Sequence, residues 1–359
     1  MITSFKAQNF ACLKNVAVDL TPVHAFIGPN DSGKSTLLHA VRTVCQLAGP
    51  GFADGPDAMP LPFDPWAPWA EGTLLSAMGR GWQYSVEAGP AELARRKELR
   101  ETVRSPGGTF QHENRALMGP SVVLAKPELA AVLTELSGVR LLRLDADALR
   151  RPSGLIPADQ LDSLGFLDDR GDGLPSVLYG VRERDHEAFT ALVDAMRAFF
   201  PTLKTLRLPA ATPSTLTLEI ELADGTRVRP DRMSEGLLRF LALNTLQFLA
   251  PCSVVLVEEP ENGLHPARVA EVVHALRAFS SATNTQVLIA THSPLVIDEL
   301  GSDEVTVLIR PSAEEGTRAI PIKNTENFEN RANTYSLGEL WLAYSDGNQE
   351  GPLFSPRVR

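Results

Sequence analysis

Residues 28–35 constrain this chain more than any others. They read Gly28-Pro29-Asn30-Asp31-Ser32-Gly33-Lys34-Ser35, after the run Val23-His24-Ala25-Phe26-Ile27 and before Leu37, Leu38, Val41 and Val44 at helical spacing. That order predicts a strand, a glycine-bounded turn and a helix. Glycines let successive backbone N–H groups turn inward together, and the helix N-terminus adds partial positive charge. The turn is therefore built to cradle an anion.

The pattern Gly-x4-Gly-Lys-Ser in that setting is a P-loop, with Gly28, Asn30, Ser32, Gly33, Lys34, Ser35 and Thr36 as its phosphate-binding set. Lys34 is expected to reach the β- and γ-phosphates, and Ser35 to place its hydroxyl on Mg2+. A second segment complements it. Val254-Val255-Leu256-Val257 is continuously apolar and ends in Glu258-Glu259. A strand of that kind has both faces covered. It delivers two carboxylates at its end, Glu258 for the metal and Glu259 to polarise an attacking water.

The rest of the chain fixes the organisation. Lys and Arg number 34 against 44 Asp and Glu, a formal charge of −10 over 359 residues, which excludes a uniformly basic nucleic-acid coat. Cys12, Cys45 and Cys252 are scattered without CxxC spacing, as in a reducing compartment. No signal-like segment opens the chain, and a cytoplasmic location is expected. The uncharged run Phe240–Val257 holds Asn244, Gln247 and Pro251, so it reads as helix, turn and strand rather than a membrane span.

Prolines 50, 56, 60, 62, 65 and 68 mark a long loop, in which Trp66 and Trp69 are either anchors or docking aromatics. A strand is expected over 81–88. A helix is expected over 91–104, its Arg95, Arg96, Lys97, Arg100 and Arg104 forming a solvated face or a phosphate-backbone contact. Another helix spans 185–200. The second half alternates helices 235–249 and 266–279 with strands 253–257, 286–291 and 304–309, which implies a parallel sheet.

Two weaker segments gain meaning beside the first two. Met233-Ser234-Glu235-Gly236 opens a helix, where a serine is ordinarily an N-cap. His292 ends a strand in Thr291-His292-Ser293-Pro294. In order and spacing the four segments resemble the ABC-type ATPases. Glu258-Glu259-Pro260-Glu261-Asn262-Gly263-Leu264-His265-Pro266 and Thr291–Pro294 resemble the RecF-like and OLD-like AAA ATPases most closely. So does the opening Gln8-Asn9-Phe10-Ala11-Cys12-Leu13-Lys14-Asn15-Val16. The likeness covers residues 1–48 and about 215–310.

That resemblance implies an α/β P-loop NTPase of ABC-ATPase type. It would have a mostly parallel sheet flanked by helices, an N-terminal antiparallel subsheet and an inserted α/β lobe. The head would be split over 1–50 and 211–310, with the lobe at 51–210, a packing segment at 311–345 and a flexible tail at 346–359. ATP and Mg2+ would be the ligands. Ser234 and Gly236 would contact ATP held by a partner's Lys34 in a homodimer formed on ATP binding. His292 would sense the γ-phosphate and orient Glu259, and Asn262 would link the two sites.

Some positions depart from the family pattern. Glu258 replaces the commoner aspartate, Asp31 lies inside the P-loop and must point away from phosphate, and Glu235 replaces a glycine. Ala11 and Cys12 replace basic or serine residues. No glutamine loop is evident, and Gln83 is the least unsuitable candidate for one. No heptad segment separates Lys34 from Ser234, and too little chain follows His292 for a fused nuclease domain of about 100 residues. The expected role is a motor or switch in DNA repair or anti-phage defence, acting on DNA or on a separate effector protein. A transporter subunit without membrane insertion, or a low-turnover nucleotide-sensing scaffold, are the alternatives.

Overall fold

The computed structural model describes residues 1–48, 72–88, 99–114, 127–136, 138–155, 168–249, 252–325 and 328–345. The proline-rich loop with Trp66 and Trp69, the first part of the expected basic helix and the tail 346–359 lie outside them.

Two six-stranded sheets organise the chain. The first is antiparallel and runs in the order Leu13–Asp19, Ile2–Phe10, Thr73–Gly79, Trp82–Ala88, Leu99–Ser105, Gly108–Asn114. Its strands alternate because one face is covered. Phe5, Ala7, Leu75, Ala77, Tyr84 and Val103 are all buried. The second sheet runs Arg318–Pro321, Val305–Ile309, Val23–Ile27, Gln286–Thr291, Val254–Glu258, Val139–Leu142. Gln286–Thr291 and Val305–Ile309 lie parallel to Val23–Ile27, and Arg318–Pro321 closes one edge antiparallel. Every residue of Val23–Ile27 and Gln286–Thr291 is buried, as expected of central strands in a covered sheet.

The chain divides into two compact units. One comprises Met1–Arg140, Cys252–Val257 and Asn284–Arg359, the other Leu141–Pro251 and Glu258–Thr283. The first unit holds the antiparallel sheet, the helix Lys34–Ala48 and a short C-terminal helix, Leu337–Ser345. That helix buries Leu340 and Trp341 and is tied to Asp298 by the Gly338 N–H. The second holds two small antiparallel sheets and the helices Leu174–Arg184, His186–Phe199, Glu235–Thr245 and Val269–Thr283. Its core includes Phe240, whose ring stacks on Phe199 at 3.6 Å.

Two expectations change and one holds. Thr73–Gly79, Trp82–Ala88, Leu99–Ser105 and Gly108–Asn114 extend the sheet that Ile2–Phe10 begins, so the stretch 51–210 is not one inserted body. Leu99–Ser105 is a strand, not the end of a helix. Arg100 and Arg104 are exposed and Glu101, Thr102 and Val103 are buried, and pairing with Trp82–Ala88 and Gly108–Asn114 makes the segment a strand despite charges at helix-like spacing. The helix expected at 185–200 is present as His186–Phe199, with Asp185 capping it through the Ala188 N–H.

Among the described residues no helix is long and apolar enough to cross a membrane. Phe240–Val257 instead contributes the end of a helix, a 3₁₀ turn at Leu246–Phe248 and the strand Val254–Glu258.

Candidate functional site

Within the first unit, the chain leaves Val23–Ile27, turns through Gly28–Gly33 and enters the helix at Lys34. The glycines are required by space. A Cβ on Gly28 would stand 2.1 Å from the Leu308 carbonyl oxygen. Gly33 has φ +98°, and a Cβ there would meet Thr317 Oγ1 at 2.4 Å. Lys34 is buried, its Nζ donating to the carbonyls of Gly28 and Pro29 at 2.8 Å each. The ammonium is thus curled over the turn. Ser32 is buried and its Oγ has no hydrogen-bond partner. Ser35 and Thr36 are half-buried, and Asn30 is exposed.

Asp31 adopts φ +64° and is 86% exposed, and both its oxygens lie 3.2 Å from Arg310 Nη1. The acid inside the P-loop is therefore turned outward and neutralised. Thr317 braces the turn, donating from Oγ1 to the Ser32 carbonyl at 2.9 Å. Its own N–H donates to the Cys12 carbonyl. Cys12, Cys45 and Cys252 are free thiols. His292 follows Gln286–Thr291, the parallel neighbour of the P-loop strand, and is exposed.

The second unit holds the other candidates. Glu258 is 7% exposed. One oxygen, Oε2, faces Arg143 Nε at 3.3 Å, and the other, Oε1, is buried with no partner. A buried, half-satisfied carboxylate is costly unless a cation completes it, so Glu258 fits a Mg2+ ligand. Glu259 sits at φ +47°, a strained conformation for a residue with a side chain, and Asn262 Nδ2 donates to its Oε2.

Ser234 caps the helix Glu235–Thr245, its Oγ accepting from the Leu237 N–H at 3.3 Å. A Cβ on Gly236 would lie 2.6 Å from the Gly263 carbonyl oxygen. The turns Ser234–Gly236 and Asn262–Gly263 thus pack directly on one another. Among the described residues no three His, Cys, Asp or Glu side chains converge on a common point.

Comparison with known proteins bears on the same residues. A family model described as "AAA domain, putative AbiEii toxin, Type IV TA system" matches residues 145–298, and one described as "AAA ATPase domain" matches 1–52. The two matches lie on either side of the intervening chain. The OLD nuclease of Thermus scotoductus (strain ATCC 700910 / SA-01) is 22% identical over 373 residues, 94% of this chain and 68% of that protein. These matches support an OLD-like or RecF-like AAA ATPase family for the chain. The solved SmcHead bound to the C-winged helix domain of ScpA shares this chain's fold. Its TM-score is 0.52 at 16% identity, over 89% of this chain and 97% of that one. The fold is the ABC-type P-loop fold.

Two residues that contact the motifs are invisible in the motifs themselves. Arg143 follows the edge strand Val139–Leu142 and lies 115 positions from its partner Glu258. Thr317 is 284 positions beyond the glycine it braces. Only the apolar strand before Arg143 signals either one. Gln83 lies in the antiparallel sheet, donating to Ser76 Oγ and accepting from Arg104.

Proposed function

We propose that this protein binds ATP with Mg2+ and hydrolyses it as a homodimer that closes on ATP. It would be a motor or switch for DNA maintenance or anti-phage defence. The observation that carries the reading is Glu258, buried with one oxygen unpartnered and followed by a strained glutamate. Such a pair costs stability, and a nucleotide-bound cation and an attacking water would repay it.

Each residue has a task in this reading. Lys34 leaves the Gly28 and Pro29 carbonyls to bind β- and γ-phosphate oxygens, and the P-loop N–H groups hold the remaining charge. Ser35 and Glu258 would hold the cation, which when bound would supply positive charge to the phosphates. Glu259, oriented by Asn262, accepts the proton of the attacking water. His292 contacts the γ-phosphate. Ser234 and the Gly236 N–H, at a helix N-terminus, contact the γ-phosphate of the partner's ATP.

DNA or a separate effector protein would receive the output. The solved Smc head carries a bound protein domain, which keeps the effector reading open. Turnover of the protein against Lys34→Ala tests the engine. A large loss supports hydrolysis at this site, and equal rates sink it. DNA binding measured at low salt, where phosphate contacts are strongest, tests the output. No binding there favours the effector protein.

A further inference from the structure

The helix Glu235–Thr245 is seated by a buried face, Leu237, Leu238, Phe240 and Leu241. In the turn before it Met233 alone is buried, and Asp231, Arg232, Ser234 and Glu235 are exposed. An exposed turn at a helix start frays unless its carbonyls are held. Here they are held from outside the helix. Arg150 Nε donates to the Pro230 carbonyl at 3.1 Å, and Nη2 donates to the Met233 carbonyl at 3.0 Å. Nη1 is fixed by Asp147 Oδ1 at 2.9 Å. Pro230–Arg232 is a 3₁₀ turn whose Pro230 carbonyl also accepts the Met233 N–H.

Arg150 is itself rigidly placed. It closes the four-residue helix Ala146–Leu149, which Asp145 caps through the Ala148 N–H while pairing with Arg170. Its side chain is 22% exposed. All three guanidinium nitrogens donate. The planar fork meets two carbonyls three residues apart with donors in fixed geometry, which a point-like ammonium on a flexible stem does not reproduce.

We propose that Arg150 is a positioning residue for Ser234 and Gly236, holding their turn in the geometry that meets the partner's ATP. The assignment rests on the two-chain ATP reading above. Phosphate contacts of this kind depend on sub-ångström placement, so loss of the clamp removes hydrolysis without touching the P-loop.

Trans-complementation tests it, because the P-loop and the Ser234 turn of one composite site come from different chains. Arg150→Ala should bind a fluorescent ATP analogue within about twofold of the parent but hydrolyse ATP at least about tenfold more slowly. Mixed equally with Lys34→Ala, it should recover about a quarter of parental turnover, since half the dimers carry one intact site of two. Mixed with Ser234→Ala it should recover nothing. Arg150→Lys keeps the charge but not the fork. It should behave as Arg150→Ala does, and it carries the same test if the alanine variant does not fold.

Parental turnover in both Arg150 variants overturns the proposal. So does recovery with Ser234→Ala. Lys34→Ala mixed with Ser234→Ala is the control. If the control recovers and Arg150→Ala with Lys34→Ala does not, the Arg150 assignment alone fails. If the control recovers nothing, the two-chain reading fails and the assignment falls with it.

Discussion

Gly236 lies against Gly263 so closely that a Cβ on the first would stand 2.6 Å from the carbonyl oxygen of the second. Gly263 has φ +73°, and a Cβ of its own would meet the Glu235 Cβ at 3.1 Å. The Glu235 side chain lies along Gly263 and reaches Arg239. On the other side, Asn262 bonds Glu259. The turn that opens the Ser234 helix and the glutamate assigned to water are therefore joined through three neighbouring residues.

Gly236→Ala should push these turns apart. The obstacle is backbone, which cannot swing away as a flexible side chain would. The expected result is a loss of hydrolysis of at least about tenfold with the fold retained, because near-attack geometry is lost before packing is. Steady-state turnover beside circular dichroism checks it. Full turnover in Gly236→Ala would mean that the close approach has no part in the chemistry.

Gln286 is the fold's least visible support. Fully buried, it donates from Nε2 to the Ile2 and Thr21 carbonyls at 2.7 and 3.0 Å, and its Oε1 accepts the Ile2 N–H at 3.0 Å. It thereby ties the central strand Gln286–Thr291 to the first strand of the antiparallel sheet. Gln286→Leu would leave three buried backbone groups unsatisfied and should cost about 3 kcal/mol or more of unfolding free energy. Urea unfolding measures this. A loss below about 0.5 kcal/mol would show that the network is not needed.

What the sequence made legible, and what it did not, follows from how far apart the interacting residues lie. The P-loop and the Val254–Glu259 strand are each contiguous, and their composition alone announces strand, turn and carboxylate. Arg143 with Glu258, Arg150 with Pro230 and Met233, and Gln286 with Ile2 join positions from 80 to 284 residues apart. No local pattern carries such pairs. Residues 99–105 misled for another reason. Arg100 and Arg104 are spaced as on one helix face, yet pairing with Trp82–Ala88 and Gly108–Asn114 makes the segment a strand. Glu101 is tolerated inside because it accepts the Tyr84 hydroxyl.

His24 predicts a pH dependence of stability. It is buried on the P-loop strand, Nδ1 meeting Thr21 Oγ1 at 3.0 Å and Nε2 meeting Thr306 Oγ1 at 2.9 Å. Burial lowers its pKa to about 4, against a weaker opposing pull from Glu304. The unfolded chain therefore takes up this proton first as pH falls. The stability from neutral His24 is complete above about pH 6.5 and is lost between there and about pH 4, a total of about 3 kcal/mol. Chemical unfolding at pH 7.5 and 4.5 should show a smaller acid loss for His24→Gln than for the parent, by about 2.5 kcal/mol. Equal losses would remove His24 from the account.

The central claim is that Lys34 and Ser234 of different chains share one ATP, and that Glu259 ends that state by hydrolysis. Glu259→Gln keeps the side chain's size and its bond to Asn262 but removes the base. Light scattering of Glu259→Gln with and without Mg-ATP tests the claim most directly. The account predicts a monomer without nucleotide and a stable dimer with it. A monomer in saturating ATP would contradict it.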